Sequence, residues 1–245
     1  MFNKYTYDTE INTEIMEIED AFGYKNKMEY DFRFNTILKS TDRNDEVTEF
    51  TIDNKGRNVT VRGAFEIESG KPYTIKYEYH PEAIVPYTKT LNYDPEFNSD
   101  IQLYSFYDGL GRVLQTKKTA SLFTTPGSND QVTFIVSGKT IYDGSARVVK
   151  QYQQTMNTEP GNQFTTTIST TAPIENIYDS KDRVIGISHP DGSSSSTIFS
   201  IQEVNGFPTA ISETIDPLGK RAKVFSNARL QTISFVNFKI GRAHV

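Results

Sequence analysis

The sequence contains no cysteine and no tryptophan, and only 3 histidines. Without cysteine there are no disulfides and no thiolate sites. That absence leaves the compartment open, because a large β protein can be secreted without disulfides. No apolar run approaches the roughly 18 residues that a membrane helix needs. There is no basic block, and the net charge is −5, from 26 basic and 31 acidic residues. Nucleic acid is therefore not an expected partner. The first twenty residues, MFNKYTYDTEINTEIMEIED, are acidic and strand-like and have no signal-peptide h-region. Retention in the cytosol, exit by another route, and a start inside a longer chain all fit that stretch.

Hydrophobic content of 36% and charged content of 23% do not point to disorder. The 245 residues allow one or two domains with a sizeable core. Aromatics are plentiful, with 14 Tyr and 16 Phe, and Thr, Val and Ile recur throughout. This composition favours strands over helices.

One pattern returns along the chain. Residues 105–119 read SFYDGLGRVLQTKKT, residues 51–59 TIDNKGRNV, residues 140–149 TIYDGSARVV, residues 177–185 IYDSKDRVI and residues 215–221 IDPLGKR. The shared frame is an apolar or aromatic residue, Asp, two variable residues, a turn residue, Arg and then apolar residues. Its aspartates are Asp53, Asp108, Asp143, Asp179 and Asp216. Tyr7-Asp8 and Tyr30-Asp31 carry the start of the frame without its end. The steps from Asp8 through Asp31, Asp53, Asp108, Asp143 and Asp179 to Asp216 are 23, 22, 55, 35, 36 and 37 residues. Periods of roughly 20–50 residues mark repeat architectures.

Each unit reads as strand, turn, strand. An Asp ahead of a turn can accept backbone N–H bonds through its carboxylate. The fourth position often needs a positive φ, which glycine adopts without steric cost. Gly56, Gly111 and Gly219 stand there, while Asp182 is tolerable and Ala146 fits poorly, as if it marked a different turn. Arg57, Arg112, Arg147 and Arg183 then open the returning strand. The expected fold is all-β, built from serial β-hairpins in a curved, spiralling sheet.

Further strands are expected at Tyr73–His80, where Tyr73, Ile75, Tyr77 and Tyr79 share one face, at 132–136 (VTFIV) and at 164–171 (FTTTISTT). Loops are expected at 125–130, 159–162 and 189–192. No helix is expected with certainty, and residues 10–20 fit either a short helix or a strand.

These units resemble the YD, or RHS, repeat family, named for Tyr-Asp…Gly-Arg. Tyr107-Asp108-Gly109-Leu110-Gly111-Arg112 matches closely. Tyr142-Asp143-Gly144 with Arg147, Tyr178-Asp179 with Arg183 and HPDGS at 189–193, and Asp53, Gly56 and Arg57 follow the same plan. So does Asp216-Pro217-Leu218-Gly219. The ordered set YDGLGR…QTKK, VSGKTIYDG…RVVKQY and PDGS resembles the bacterial toxin-complex B/C-like branch. The likeness runs over about 24–235. Ala146 and Asp182 depart at the glycine, and Ile52 and Ile215 at the tyrosine. The resemblance implies a β-sheet that spirals into a hollow shell around a C-terminal toxic polypeptide. The implied partners are the remaining repeats of the same chain or of a partner shell protein, and that toxin. The implied location is secreted or at the cell surface. An extracellular module contacting carbohydrate or cell surfaces is the alternative.

Other motifs are weaker. Gly109-Leu110-Gly111 lacks the three spaced glycines and the helix of a dinucleotide loop. Ser137-Gly138-Lys139-Thr140 has Thr133 where a P-loop needs glycine. Asp42, Asn44, Asp45 and Glu46 have Val47 and Asp53 where a calcium loop needs Gly and Glu. His80, His189 and His244 are scattered, and Ser193–Ser196 lack a nucleophile-elbow frame. Asn58-Val59-Thr60 is only a formal glycosylation acceptor. No cofactor, metal or catalytic residue is expected. Residues 1–239 are assigned to the repeat region. The last six residues, IGRAHV, resemble a translated sequencing adapter, so 240–245 are expected to be non-native and to carry no function.

Overall fold

A computed structural model describes residues 2–122, 131–166 and 172–238. The loop expected at 125–130, most of the expected strand at 164–171 and the tail at 240–245 lie outside them.

In chain order the elements are β1 (Lys4–Tyr7), β2 (Ile15–Glu19), β3 (Lys25–Asp31), β4 (Thr36–Thr41), β5 (Val47–Ile52), β6 (Asn58–Arg62), α1 (Ala64–Glu68), β7 (Ile75–His80), β8 (Tyr87–Asp94), β9 (Ser99–Tyr107), β10 (Val113–Leu122) and β11 (Gln131–Val136). They continue with β12 (Thr140–Tyr142), β13 (Val148–Gln151), β14 (Thr155–Asn157), β15 (Ile174–Tyr178), β16 (Val184–Ser188), β17 (Ser194–Val204), β18 (Phe207–Ile215), β19 (Arg221–Ser226) and β20 (Thr232–Phe238). Strands β1 to β11 lie side by side in chain order in one sheet. A second sheet has the order β12, β13, β15, β16, β17, β18, β19, β20. The recorded pairs from β1 to β9 and throughout the second sheet are antiparallel. The architecture is therefore all-β, made of serial hairpins. Neighbours in sequence are neighbours in the sheet except at β14, which lies beside β11 in the first sheet and leaves β13 paired with β15.

The chain divides into two compact units. The first comprises residues 1–112, 116–134 and 158–164. Among the described residues its buried apolar side chains are Leu91, Tyr104 and Phe106. Tyr87, directly opposite Phe106 across β8 and β9, tilts against it at 5.5 Å between ring centroids. The second unit comprises residues 113–115, 135–157 and 165–245, and Val136 and Ile211 are buried in it. Most other strand residues are half-buried, while β1 and β20 are exposed throughout. The tyrosine face expected around β7 therefore is not a single core face, since Ile75 to His80 are half-covered on both sides.

One open reading is settled as a strand, and two local expectations need correction. Residues 10–20 contribute the strand β2 and no helix. A helix stands instead at Ala64–Glu68, with no side-chain cap on Gly63. Buried Glu66 ties it to the sheet by accepting from the Thr74 hydroxyl. Five residues without a side-chain cap leave no sequence signature of a helix. Residues 164–166 are not in a strand. Phe164 packs edge-on against Phe106 at 5.6 Å, and the Thr165 backbone pairs with the Gln115 side-chain amide instead of a strand. Among the described residues no helix is long and apolar enough to cross a membrane.

Candidate functional site

The repeat turns share one construction. In the loop from Asp108 to Arg112, the Asp108 N–H donates to the Arg112 carbonyl and the Gly111 N–H donates back to the Asp108 carbonyl, both at 3.0 Å. Asp108 Oδ1 accepts the N–H groups of Leu110 and Arg112 at 2.9 Å. Gly111 stands at φ 76°. This is a three-residue hairpin loop closed by a left-handed residue and a bulge. Loops from Asp53, Asp143, Asp179 and Asp216 repeat both backbone bonds and both carboxylate bonds.

Ala146 does not mark a different turn. Its φ is 64°, and its loop closes like the others. Asp182 stands at φ 61°, where its carboxylate accepts from Arg147 Nη1 at 2.7 Å. That bond explains an aspartate where the frame prefers glycine. Gly109 and Gly144 occupy the second position in ordinary backbone with open space around them, so the turn does not require glycine there. Pro217 takes the same position, as suits a residue with a preset φ.

The same closure also occurs where the frame is absent or incomplete. Asp20, Asp42, His189 and Asn227 each close a loop with the fifth residue, using Gly23, Asp45, Gly192 and Leu230 at positive φ. The Asp42 cluster is thus a turn, with Asp42 Oδ1 accepting from Asn44 and Glu46. Asp8 builds a larger loop in which its buried carboxylate accepts five backbone N–H groups, from Glu10 to Glu14.

The arginines add a second layer. Oδ2 of Asp53, Asp108, Asp143 and Asp179 receives both Nε and Nη2 of Arg57, Arg112, Arg147 and Arg183, at 2.6–2.7 Å. The guanidinium groups of Arg57, Arg147 and Arg183 also lie over a ring on the next strand of the sheet. Arg57 covers Tyr79 at 4.0 Å, Arg147 covers Tyr178 at 4.8 Å and Arg183 covers Phe199 at 4.0 Å. Such contacts are worth about 0.5–1 kcal/mol where exposed.

The tyrosines complete the link. The Tyr79 hydroxyl donates to the Asn58 carbonyl, Tyr142 to Val113, and Tyr178 to Val148, at 2.8–3.0 Å. Each acceptor is the residue just after a clasping arginine. In the Tyr142 and Tyr178 units, the Tyr of Tyr-Asp therefore serves an earlier turn while its Asp builds its own. Tyr79 and Phe199 do the ring's work without an Asp beside them. They were not legible as partners from the motif alone.

These contacts set the acid response. Arg183 is the main cause holding the Asp179 carboxyl down at about 2, from an ordinary 3.8, helped by the N–H of Arg183 itself. Arg147 also leads in lowering the Asp143 carboxyl. The N–H of Arg112 leads in lowering Asp108. At Asp53 partial burial is the largest influence and acts upward, but the bonds from Arg57 and Lys55 leave the group lowered. A carboxylate depressed in the folded state stabilises it above the unfolded pKa near 4 and loses that contribution as pH falls through the folded value. We expect the urea midpoint to fall between pH 4 and pH 2, and Asp179→Asn to flatten that fall. An unchanged pH profile in the variant would remove the clasp from the explanation.

Two substitutions test the turn itself. Ala146→Gly relieves a left-handed alanine and should stabilise the second unit by roughly 0.5–1 kcal/mol in urea unfolding. Lys220→Arg supplies the guanidinium that the Asp216 loop lacks, with an expected gain of at most about 1 kcal/mol for an exposed pair.

Gly138 stands at φ 81° beneath the Tyr152 carbonyl, and the segment opens β12 without forming a phosphate loop. Among the described residues no group of three or more His, Asp or Glu could hold a metal ion.

The class these features define is an all-β protein of serial hairpins whose turns close through one recurring five-residue construction. No family model and no curated protein matches the sequence. Solved structures do. The chain superposes on the TcdB2-TccC3 crystal structure with a TM-score of 0.66 and 21% identity, over 95% of this chain and 14% of that one. On the TcdB2-TccC3-Cdc42 structure the TM-score is 0.72 at 18% identity, over 96% and 16%. The form without the hypervariable C-terminal region gives 0.67 at 17%, over 96% and 18%. The fold is that of these chains, and this chain spans about one-sixth of their length.

Proposed function

We propose that this chain is a wall segment of a toxin-complex-type shell that encloses a C-terminal toxic polypeptide for delivery. The observation that carries the reading is the stitching of turn to turn. Arg57, Arg147 and Arg183 each clasp their own Asp and cover a ring on the next strand. Such a wall grows by adding hairpins and needs no catalytic group. The remaining repeats of the same chain or of a partner shell protein complete it, in a secreted or cell-surface assembly. The likeness in fold to TcdB2-TccC3 supports this reading.

The test is protection. The full-length protein containing this segment is purified and treated with protease, and the fate of its C-terminal polypeptide is followed. The shell reading expects that polypeptide to survive until the wall is opened by denaturant. Immediate digestion, together with binding of the intact protein on a glycan array, would overturn it in favour of the carbohydrate-contacting module.

A further inference from the structure

Residues 158–164 group with the first unit, although they follow β14 in the chain. They belong to no strand, and a backbone bond inside them runs from the Gln163 N–H to the Pro160 carbonyl at 3.1 Å. They lie across residues of β9 to β11. Gly161 presses so close that a Cβ would stand 2.3 Å from the Tyr104 ring and 2.8 Å from the Phe134 ring. Phe164 meets Phe106 edge-on.

Beneath this segment lies Lys117, with no exposed surface. Its Nζ is 3.3 Å from the Pro160 carbonyl oxygen and 3.7 Å from a Glu159 carboxylate oxygen. Burial lowers the affinity of the ammonium for its proton, and Glu159 works against that. A dehydrated ammonium with one carboxylate partner is costly, because its lost hydration is only partly repaid. The aromatic contacts thus hold the segment down, while the buried charge favours lifting it.

We infer that residues 158–164 form a releasable strap, opened by rehydration of Lys117, which bares the aromatic face of Tyr104, Phe106 and Phe134 while the sheet beneath stays folded. Local opening of this kind is expected where a segment is held by side chains and lies outside the ladder of strands.

The experiment is native-state acylation of the whole chain with a water-soluble N-hydroxysuccinimide ester, read by peptide mass spectrometry. Exposed Lys118 reports reagent activity, and hydrogen exchange of the β9 amides reports opening of the sheet. Lys117 should acylate at least about tenfold faster than β9 opens. Glu159→Gln leaves the ammonium buried without its carboxylate and should raise Lys117 labelling about fivefold, with β9 exchange unchanged. Lys117→Met removes the opposing charge and should slow amide exchange across 158–164 at least about threefold. Labelling of Lys117 no faster than β9 opening overturns the strap. So does Glu159→Gln changing Lys117 labelling and β9 exchange equally, or not at all. Unchanged or faster exchange across 158–164 in Lys117→Met also overturns it.

Discussion

Phe106→Ala will destabilise the first unit by about 3–5 kcal/mol, the cost of deleting a buried phenyl ring in a place that cannot collapse around the loss. Phe106 is 1% exposed. Its ring meets Tyr87 from β8 and Phe164 from the segment above, at 5.5 and 5.6 Å between centroids. Close by, Tyr104 meets Phe134 edge-on at 5.9 Å. Such ring pairs add about 0.5–1.5 kcal/mol each beyond area. In a fold whose strands are mostly half-covered, few sites concentrate so much burial, and neighbouring strands have no thick core into which to relax. The check is urea unfolding of the chain and of Phe106→Leu beside it. The leucine variant should lose markedly less than the alanine variant. Equal, small losses in both would mean that this aromatic cluster does not hold the unit together.

The hairpin array was legible because its turns are local. An acceptor at the first position and a residue tolerant of positive φ at the fourth are enough to close the loop, and Asp53, Asp108, Asp143, Asp179 and Asp216 advertise the acceptor. The same economy explains what was missed. Asp20 and Asn227 close identical loops without a Tyr just before the turn or an Arg at its fifth position, since backbone closure needs neither. Tyrosine and arginine belong to a different requirement, the joining of one unit to another, and their partners lie 22, 31 and 16 residues away at Tyr79, Tyr178 and Phe199. That distance follows from the strand register, which no single motif encodes. The stretch at 164–166 was misread for a related reason. Phe and Thr favour strands only when a neighbouring strand offers a ladder and a packed face. Phe164 instead finds Phe106, and Thr165 finds the amide of Gln115.

Gly138 shows how a glycine inside a borrowed-looking motif acquires its meaning from distant backbone. Ser-Gly-Lys-Thr at 137–140 resembles the end of a phosphate loop, yet the demand on the glycine comes from residues 152 and 153. A Cβ at Gly138 would stand 2.1 Å from the Tyr152 carbonyl oxygen and 2.7 Å from that of Gln153. Both are main-chain atoms, so no side-chain rotation relieves the clash. The position also has φ 81°, where an L side chain is strained even in open space. The adjoining bond, from the Tyr152 N–H to the Lys139 carbonyl at 3.0 Å, anchors the β12–β13 pair at this end. Gly138→Ala must therefore push β13 away or break that bond, and should cost the second unit roughly 3 kcal/mol or more. Gly192→Ala is the control, because that residue has the same φ of 81° and no atom within 4 Å of its added Cβ. Its expected loss is the backbone strain alone, about 1–2 kcal/mol. Urea unfolding of the two variants separates the contributions. A loss at Gly138 no larger than that at Gly192 would mean that the close approach of Tyr152 carries no energetic weight.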